Sequence, residues 1–288
     1  MGGAGIGTEG GTARRILLLG ALALVACGDA RLVQIEPPDD ETLYDDGPPS
    51  VAVSGQARIF PPAHVWLEAR DGVAPVLEAE RVVVADPLQQ ALGEETDLPV
   101  EAPLEATGAF RIPAVGVSDL VLGLGGTVGA SPGLAPVTSL IYDAAQEGTR
   151  PREDLEGVWI EAVPLEWLWA LEAGVGAERL AAWAPEAVAI LDAGLILGRV
   201  LGADGEPVAG ARLRVHPPEL QERLVYPHAD LEDVGLHATD ASGLFVLVHD
   251  GGDVRTLSLT LEDAPDVLPH HGVLAPGSAL LLQLRPPP

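Results

Sequence analysis

The sequence predicts a mainly β protein, built as two β-sandwiches joined by a short helical connector. Three observations predict it. Short apolar runs recur between Gly- and Asp-rich turns, as at Leu195–Val200 and Leu244–Val246, and runs of that length so bounded read as strands. The order of these segments occurs twice, once in each half of the chain. Between the halves lies a stretch with helical punctuation that carries Trp159, Trp167, Trp169 and Trp183, four of the five tryptophans.

Composition narrows the function classes. A hydrophobic fraction of 47% over 288 residues supports packed cores rather than a disordered chain. Asp and Glu total 43 against 16 basic residues, for a net charge of −27. Every basic residue is Arg, and the sequence contains neither Lys nor Asn. Nucleic acid and bare anionic membrane surfaces both require clustered positive charge, so neither is an expected partner. A single cysteine rules out an intramolecular disulfide.

That cysteine has a specific setting. Arg14-Arg15 precede an apolar run from Ile16 to Ala26, and Cys27 follows at once. A positive segment followed by a short apolar one reads as a secretory signal, too short to span a bilayer. Leu24-Val25-Ala26-Cys27 resembles the bacterial lipobox. The resemblance implies cleavage after Ala26, acylation of Cys27 and a membrane partner reached through that lipid. The expected location is the bacterial cell envelope, anchored by lipid, on the outer membrane. Residues 27–50 follow as a tether, with Asp29, Glu36, Asp39, Asp40, Glu41, Asp45 and Asp46 among four prolines; such a run repels itself and stays extended.

Residues 51–142 read as the first sandwich. Strands are expected at Val51–Phe60, His64–Ala69, Arg81–Ala85, Gly108–Ile112 and Asp119–Leu124, with Leu88–Leu104 an acidic loop. In His64–Ala69, Val65 and Leu67 would share one face. Residues 143–193 are the connector: a charged loop, then a strand over Gly157–Val163 in which Val158 and Ile160 alternate with Trp159 and Glu161. Pro164 suits the first turn of a helix that Gly174 would stop. Ala177–Ala184 is a second helix, ended by Pro185, and Pro185–Asp192 a third. The helix after Pro164 is apolar on two sides, with Trp167, Leu168 and Leu171 on one and Leu165, Trp169 and Ala173 on the other, so both sides are expected to be buried.

Residues 194–288 form the second sandwich. Leu195–Val200 leads into the turn Gly202-Ala203-Asp204-Gly205. Leu213 and Val215 then alternate with Arg212 and Arg214. Thr239-Asp240-Ala241-Ser242-Gly243 turns the chain before Leu244-Phe245-Val246, and Leu274-Ala275-Pro276-Gly277 precedes the strand Ala279–Leu284. The order strand, DGEPVAGA, strand, then TDASGLF and strand, from Gly194 to Arg285, resembles the carboxypeptidase regulatory-like domain. That family implies a prealbumin-like (immunoglobulin-like) β-sandwich and says little about function. Cna-type B repeats share the general architecture and lock it with Lys–Asn bonds, which this composition cannot form. The first half repeats the order: Ser54–Ala57 matches Leu197–Val200, Thr107–Phe110 matches Ser242–Phe245, and Leu134–Pro136 with Leu140 matches Leu274–Pro276 with Leu280.

Candidate chemistry is sparse. Gly129-Ala130-Ser131-Pro132-Gly133 has the spacing of a nucleophile elbow, but Pro132 lacks the N–H that half an oxyanion hole requires. Gly123-Leu124-Gly125-Gly126 opens no helix and is no dinucleotide loop. His216-Pro217-Pro218-Glu219 has the spacing of a carboxypeptidase zinc pair, with two prolines between the would-be ligands. His228, Asp230 and His237, with Glu232, Asp233 and Asp240, form the densest run of ligand-type side chains, and His270-His271 lies farther on; none has the spacing of a known metal site. No cofactor is expected. Trp159, Trp169 and Trp183 could offer a stacking platform to sugars. The sequence therefore reads as a membrane-anchored envelope lipoprotein, a non-catalytic binding or structural module for a protein or polysaccharide partner. The alternatives are a carbohydrate-binding surface protein and a hydrolase or hydrolase accessory subunit.

Overall fold

The computed structural model describes residues 49–93, 100–117, 120–129, 131–264 and 268–285. The lipobox, Cys27 and all but the last residues of the tether lie outside them. In chain order the elements are β1 (Ser50–Ile59), α1 (Pro61–Asp71), β2 (Arg81–Ala85), α2 (Pro87–Leu92), β3 (Val100–Pro103), β4 (Ala109–Gly116), β5 (Gly123–Val128), β6 (Leu134–Ala135), β7 (Val137–Asp143), α3 (Ala144–Glu147), β8 (Leu155–Pro164), α4 (Leu165–Val175), α5 (Ala177–Trp183), α6 (Ile190–Ala193), β9 (Leu195–Val200), β10 (Leu213–His216), β11 (Leu224–Pro227), β12 (Val234–Gly235), β13 (Leu244–Val248), β14 (Arg255–Leu261), β15 (His270–Leu274) and β16 (Ala279–Leu284). No helix among the described residues is long and apolar enough to cross a membrane.

The protein is mainly β, as the sequence predicts, but the two halves share a sheet. A nine-stranded sheet in the order β12-β11-β13-β9-β16-β7-β5-β2-β3 runs through both, because β16 pairs in parallel with β7, Ala279 to Leu281 against Val137 to Ser139. The sheet is the middle of three layers. One face packs on the four-stranded sheet β4-β1-β8-β6 and on the connector helices; the other packs on the three-stranded sheet β10-β14-β15. Alternate residues of the central strands go to opposite cores. Leu244, Val246 and Val248 of β13 face the first, while Phe245 and Leu247 face the second. A strand covered on both sides must be apolar without interruption, which explains LFVLV in β13 and the run of leucines in β16.

The internal repeat is visible in the pairing. Gly55 of β1 lies opposite Phe110 of β4, and Gly198 of β9 lies opposite Phe245 of β13. Ala57 N–H donates to Gly108 O at 2.7 Å, and Val200 N–H donates to Gly243 O at 2.8 Å. Each inner strand also has a parallel partner on its other edge, β8 for β1 and β16 for β9. The third match behaves differently. Both Leu-Ala-Pro turns are followed by a strand, but these two strands, β7 and β16, pair with each other.

Gly243 has φ of 68°, and Gly108 has φ of 83°. A Cβ at either would lie 2.6 Å from Val200 O or 2.5 Å from Ala57 O respectively. Gly243→Val is therefore expected to lose about 1–3 kcal/mol, and Gly108→Val a similar amount; an unchanged melting temperature in both would remove this account of the two turns.

Several local expectations are corrected. Residues His64–Ala69 belong to helix α1, not to a strand. Pro61 and Pro62 fit the first helical turn, and Ala63 and Leu67, one turn apart, make the buried stripe, while Val65 is 65% exposed. Gly72, left-handed, closes the helix by bonding Glu68 O. The loop expected at Leu88–Leu104 contains α2, capped by the Asp86 carboxylate on the N–H groups of Leu88 and Gln89, and the edge strand β3. Gly174 does not end α4, which runs to Val175 and is closed by Gly176. A Cβ at Gly174 would lie 2.4 Å from Leu231 O, so this glycine admits the 228–233 loop. The third helix is only α6, with residues 185–189 in turns before it. Only one side of α4 is buried: Trp167, Leu168, Leu171 and Val175 are in the core, while Trp169 is 60% exposed and Ala173 is exposed.

Candidate functional site

β7 and β16 stay paired for three residues and then part. Among the described residues, β7 pairs only with β5 past Ser139, and β16 pairs only with β9 past Leu281. The cause lies in β7. Leu124 and Gly125 of β5 oppose Tyr142 and Leu140, so Ile141 is the extra residue of a β-bulge. A bulge bends its strand and sharpens its twist. This one begins two residues past the last β16 contact and carries β7 away.

The opening is a cleft of about 530 Å³. Leu140–Asp143 of β7 form one wall and Leu282, Gln283 and Arg285 the other. Glu156–Trp159 of β8 cover it, and Gln146 and Glu147 of α3 and His270 of β15 complete the lining. The lining is held by bonds within the protein. Asp143 Oδ1 caps α3 by accepting from Ala145 N–H at 2.9 Å, and its Oδ2 lies 2.8 Å from His270 Nδ1. Gln146 donates to the carbonyls of Leu268 and Pro269, which fixes the approach to His270. Tyr142 donates to Gly148 O at 2.7 Å, and burial, then the nearby Glu147 carboxylate, push its pKa above that of an ordinary tyrosine. His270 is 9% exposed, and its Nε2 has no partner among the described residues.

Behind Trp159 lies a charge group built on a buried carboxylate. Arg58 of β1 stacks on the indole at 4.1 Å and donates from Nε, at 3.0 Å, and from Nη2, at 2.5 Å, to Glu161 Oε1. Glu161 is fully buried, and its Oε2 has no partner among the described residues. Arg199 of β9 is close enough to feel both. Burial lowers its pKa, the Glu161 carboxylate opposes that shift, and Arg58 adds to it. The alternation of β8 places Trp159 and Glu161 on one face, as the sequence suggests. It does not show that one is 41% exposed and the other not at all.

The other sequence candidates scatter. Trp169 is on α4 and Trp183 on α5, where Arg179 lies 5.8 Å from the Trp183 ring centre; of the three platform candidates Trp159 lines the cleft. Among the described residues the aromatic ring pair is Phe60 with Trp167, so Trp159, Trp169 and Trp183 do not stack on one another. No group of three or more His, Cys, Asp or Glu that could hold a metal occurs among the described residues. Around His228, Asp230 and His237 the carboxylates tie the loop backbone instead. Asp230 accepts from Glu232 N–H, Asp233 from Val234 N–H, and Asp240 from Ala229 and Ser242 N–H. The pair that sequence reasoning missed is Asp143 with His270. Its one signal is that both residues sit at strand ends beside apolar runs.

Together these features define a three-layer, mainly β protein with a cleft at a break in its central sheet. No family model matches the chain, and no curated protein matches it. Among solved structures it is similar to a Bacillus anthracis protein, the TIE protein, with a TM-score of 0.24 and 6% identity over 82% of this chain and 34% of that one. It is also similar to the minor pilin of Streptococcus agalactiae, with a TM-score of 0.22 and 12% identity over 83% and 98% of the two chains. The shaft pilin of Lactobacillus rhamnosus GG gives a TM-score of 0.22 and 12% identity over 83% and 99%. The chain thus spans about a third of the length of the first of these proteins. Superpositions this loose say nothing about what this chain does.

Proposed function

We propose that this protein is a lipid-anchored, non-catalytic binding module of the bacterial cell envelope. The observation that supports binding is the cleft. It mixes polar and apolar lining, it is walled by groups that internal bonds hold in place, and it presents the indole of Trp159. Three of its titratable groups are engaged in structure: Asp143 caps a helix and holds His270, and Tyr142 is bonded to Gly148 O. The resemblance of residues 194–285 to the carboxypeptidase regulatory-like domain fits a non-catalytic module. The anchor rests on Arg14-Arg15, the apolar run to Ala26, and Cys27. Several acyl chains on one Cys give stable anchoring, since each buried methylene contributes about 0.8 kcal/mol. Expressed in a bacterium and extracted with a phase-separating detergent, the wild type is expected in the detergent phase and Cys27→Ser in the aqueous phase. Identical partition of the two would end the lipoprotein reading.

A second reading, carbohydrate binding, is favoured by one observation: Trp159, 41% exposed, lies at the cleft. Arg58 already covers one face of that ring, which leaves the other for a sugar to stack on.

A further inference from the structure

We propose that the split between β7 and β16 receives an extended peptide segment bearing Lys or Arg, which pairs as an added β-strand with one of the two open edges. The proposal rests on reading the protein as a binding module and names the class of ligand for its cleft.

The backbone carries the argument furthest. Among the described residues, the edges of β7 and β16 that had faced each other have no ladder partner beyond Ser139 and Leu281. An open strand edge is a template for another strand, and recognition by strand addition uses main-chain hydrogen bonds for affinity. Here both edges line one cleft rather than an open margin of the sheet. A peptide offers N–H and C=O groups at the matching spacing; a sugar does not.

Charge narrows the choice. Asp143, Glu147 and Glu156 line the cleft against one permanent cation, Arg285, so a basic segment is attracted and an acidic one repelled. The unpartnered Nε2 of His270, in a side chain about nine-tenths buried, leaves hydrogen-bonding capacity unused in the same lining. The Trp159 indole, steadied by the Arg58 guanidinium, provides apolar contact for a side chain of the incoming strand.

The test uses the purified full-length protein in mild detergent and four probes. These are an acetylated octapeptide of alternating Val and Lys, its Val–Glu counterpart, a version interrupted by prolines, and chitotriose as a sugar. The Val–Lys peptide is expected to bind at least about tenfold more tightly than the Val–Glu peptide. It should slow hydrogen exchange of alternate amides within Leu140–Asp143 or Leu282–Arg285 by roughly tenfold or more. E156R should weaken it by about twofold to fivefold at low salt, with the difference fading at high salt. The prolines remove the backbone N–H donors, so that version should not bind. Binding of the Val–Lys peptide without protection of either edge, equal binding of the proline version, or no peptide binding would each overturn strand addition. If chitotriose then binds and changes Trp159 fluorescence, the binding-module reading stands with a sugar as its ligand. If no probe binds at the cleft, both strand addition and the cleft's binding role fall.

Discussion

Truncation of Trp167 to alanine is expected to cost about 3–5 kcal/mol and to lower the melting temperature by about 6–20 °C, in one transition rather than two. Trp167 is fully buried in α4 and meets Phe60 edge-to-face, with ring centres 5.5 Å apart and planes at 83°. Phe60 lies between β1 and α1, so the pair ties the connector to the four-stranded sheet. The same core takes in Leu195 and Leu197 of β9 and Leu244, Val246 and Val248 of β13. A hole at Trp167 is therefore felt on both sides of the connector, and the surrounding strands cannot collapse to fill it. The indole Nε1 has no partner among the described residues. Trp167→Phe, which keeps an aromatic ring and removes that buried donor, should lose much less. Calorimetry on the two variants would decide. Two separated transitions in the wild type, or an alanine variant that melts with it, would show that the connector and the continuous sheet do not couple the halves.

Replacing Arg58 with alanine is expected to be comparably severe, at about 3–5 kcal/mol, because it strands a buried carboxylate. Glu161 is fully exposed to the interior and not to water, and its bonded oxygen takes both contacts from Arg58. Arg199 offsets part of the loss, since it already interacts with Glu161 and would be freed from Arg58's repulsion. One control separates charge from packing. Arg58→Ala combined with Glu161→Gln should recover part of the stability by removing the charge. A deficit that is not reduced in the double variant would assign the loss to packing of the Arg58 stem on Trp159.

Parts of this fold can be read directly from residues. The turn glycines Gly108 and Gly243 announce themselves, because each precedes an apolar pair and follows a small polar residue. The segments matched in the two halves pair alike in the structure, Gly55 opposite Phe110 and Gly198 opposite Phe245. His64–Ala69 misleads because a short window of alternation also fits a helix with one narrow buried stripe, and Pro61-Pro62 is the stronger signal. Uninterrupted apolar runs in β13 and β16 mark strands covered on both faces, a sign that a third layer exists. The cleft is not legible in this way. It depends on one extra residue, Ile141, and on strands whose sequences do not record where their pairing ends. The contact between Asp143 and His270 spans 127 residues, and that between Arg58 and Glu161 spans 103; no local pattern links either pair. A Glu inside the apolar run of β8 was the available hint of the second.

The position of β16 also sets an order in time. It is the last described strand in the chain, yet it lies inside the central sheet, between β9 and β7. Until residues 279–284 have been made, no strand ladder joins the strands on its two sides. Each set then presents an open, apolar margin, the kind of surface that invites pairing with the wrong chain. Contacts so distant in sequence are also slow to form. The protein would therefore depend, during synthesis, on remaining unfolded or shielded until β16 arrives. A version stalled before Ala279 should be among its most aggregation-prone forms.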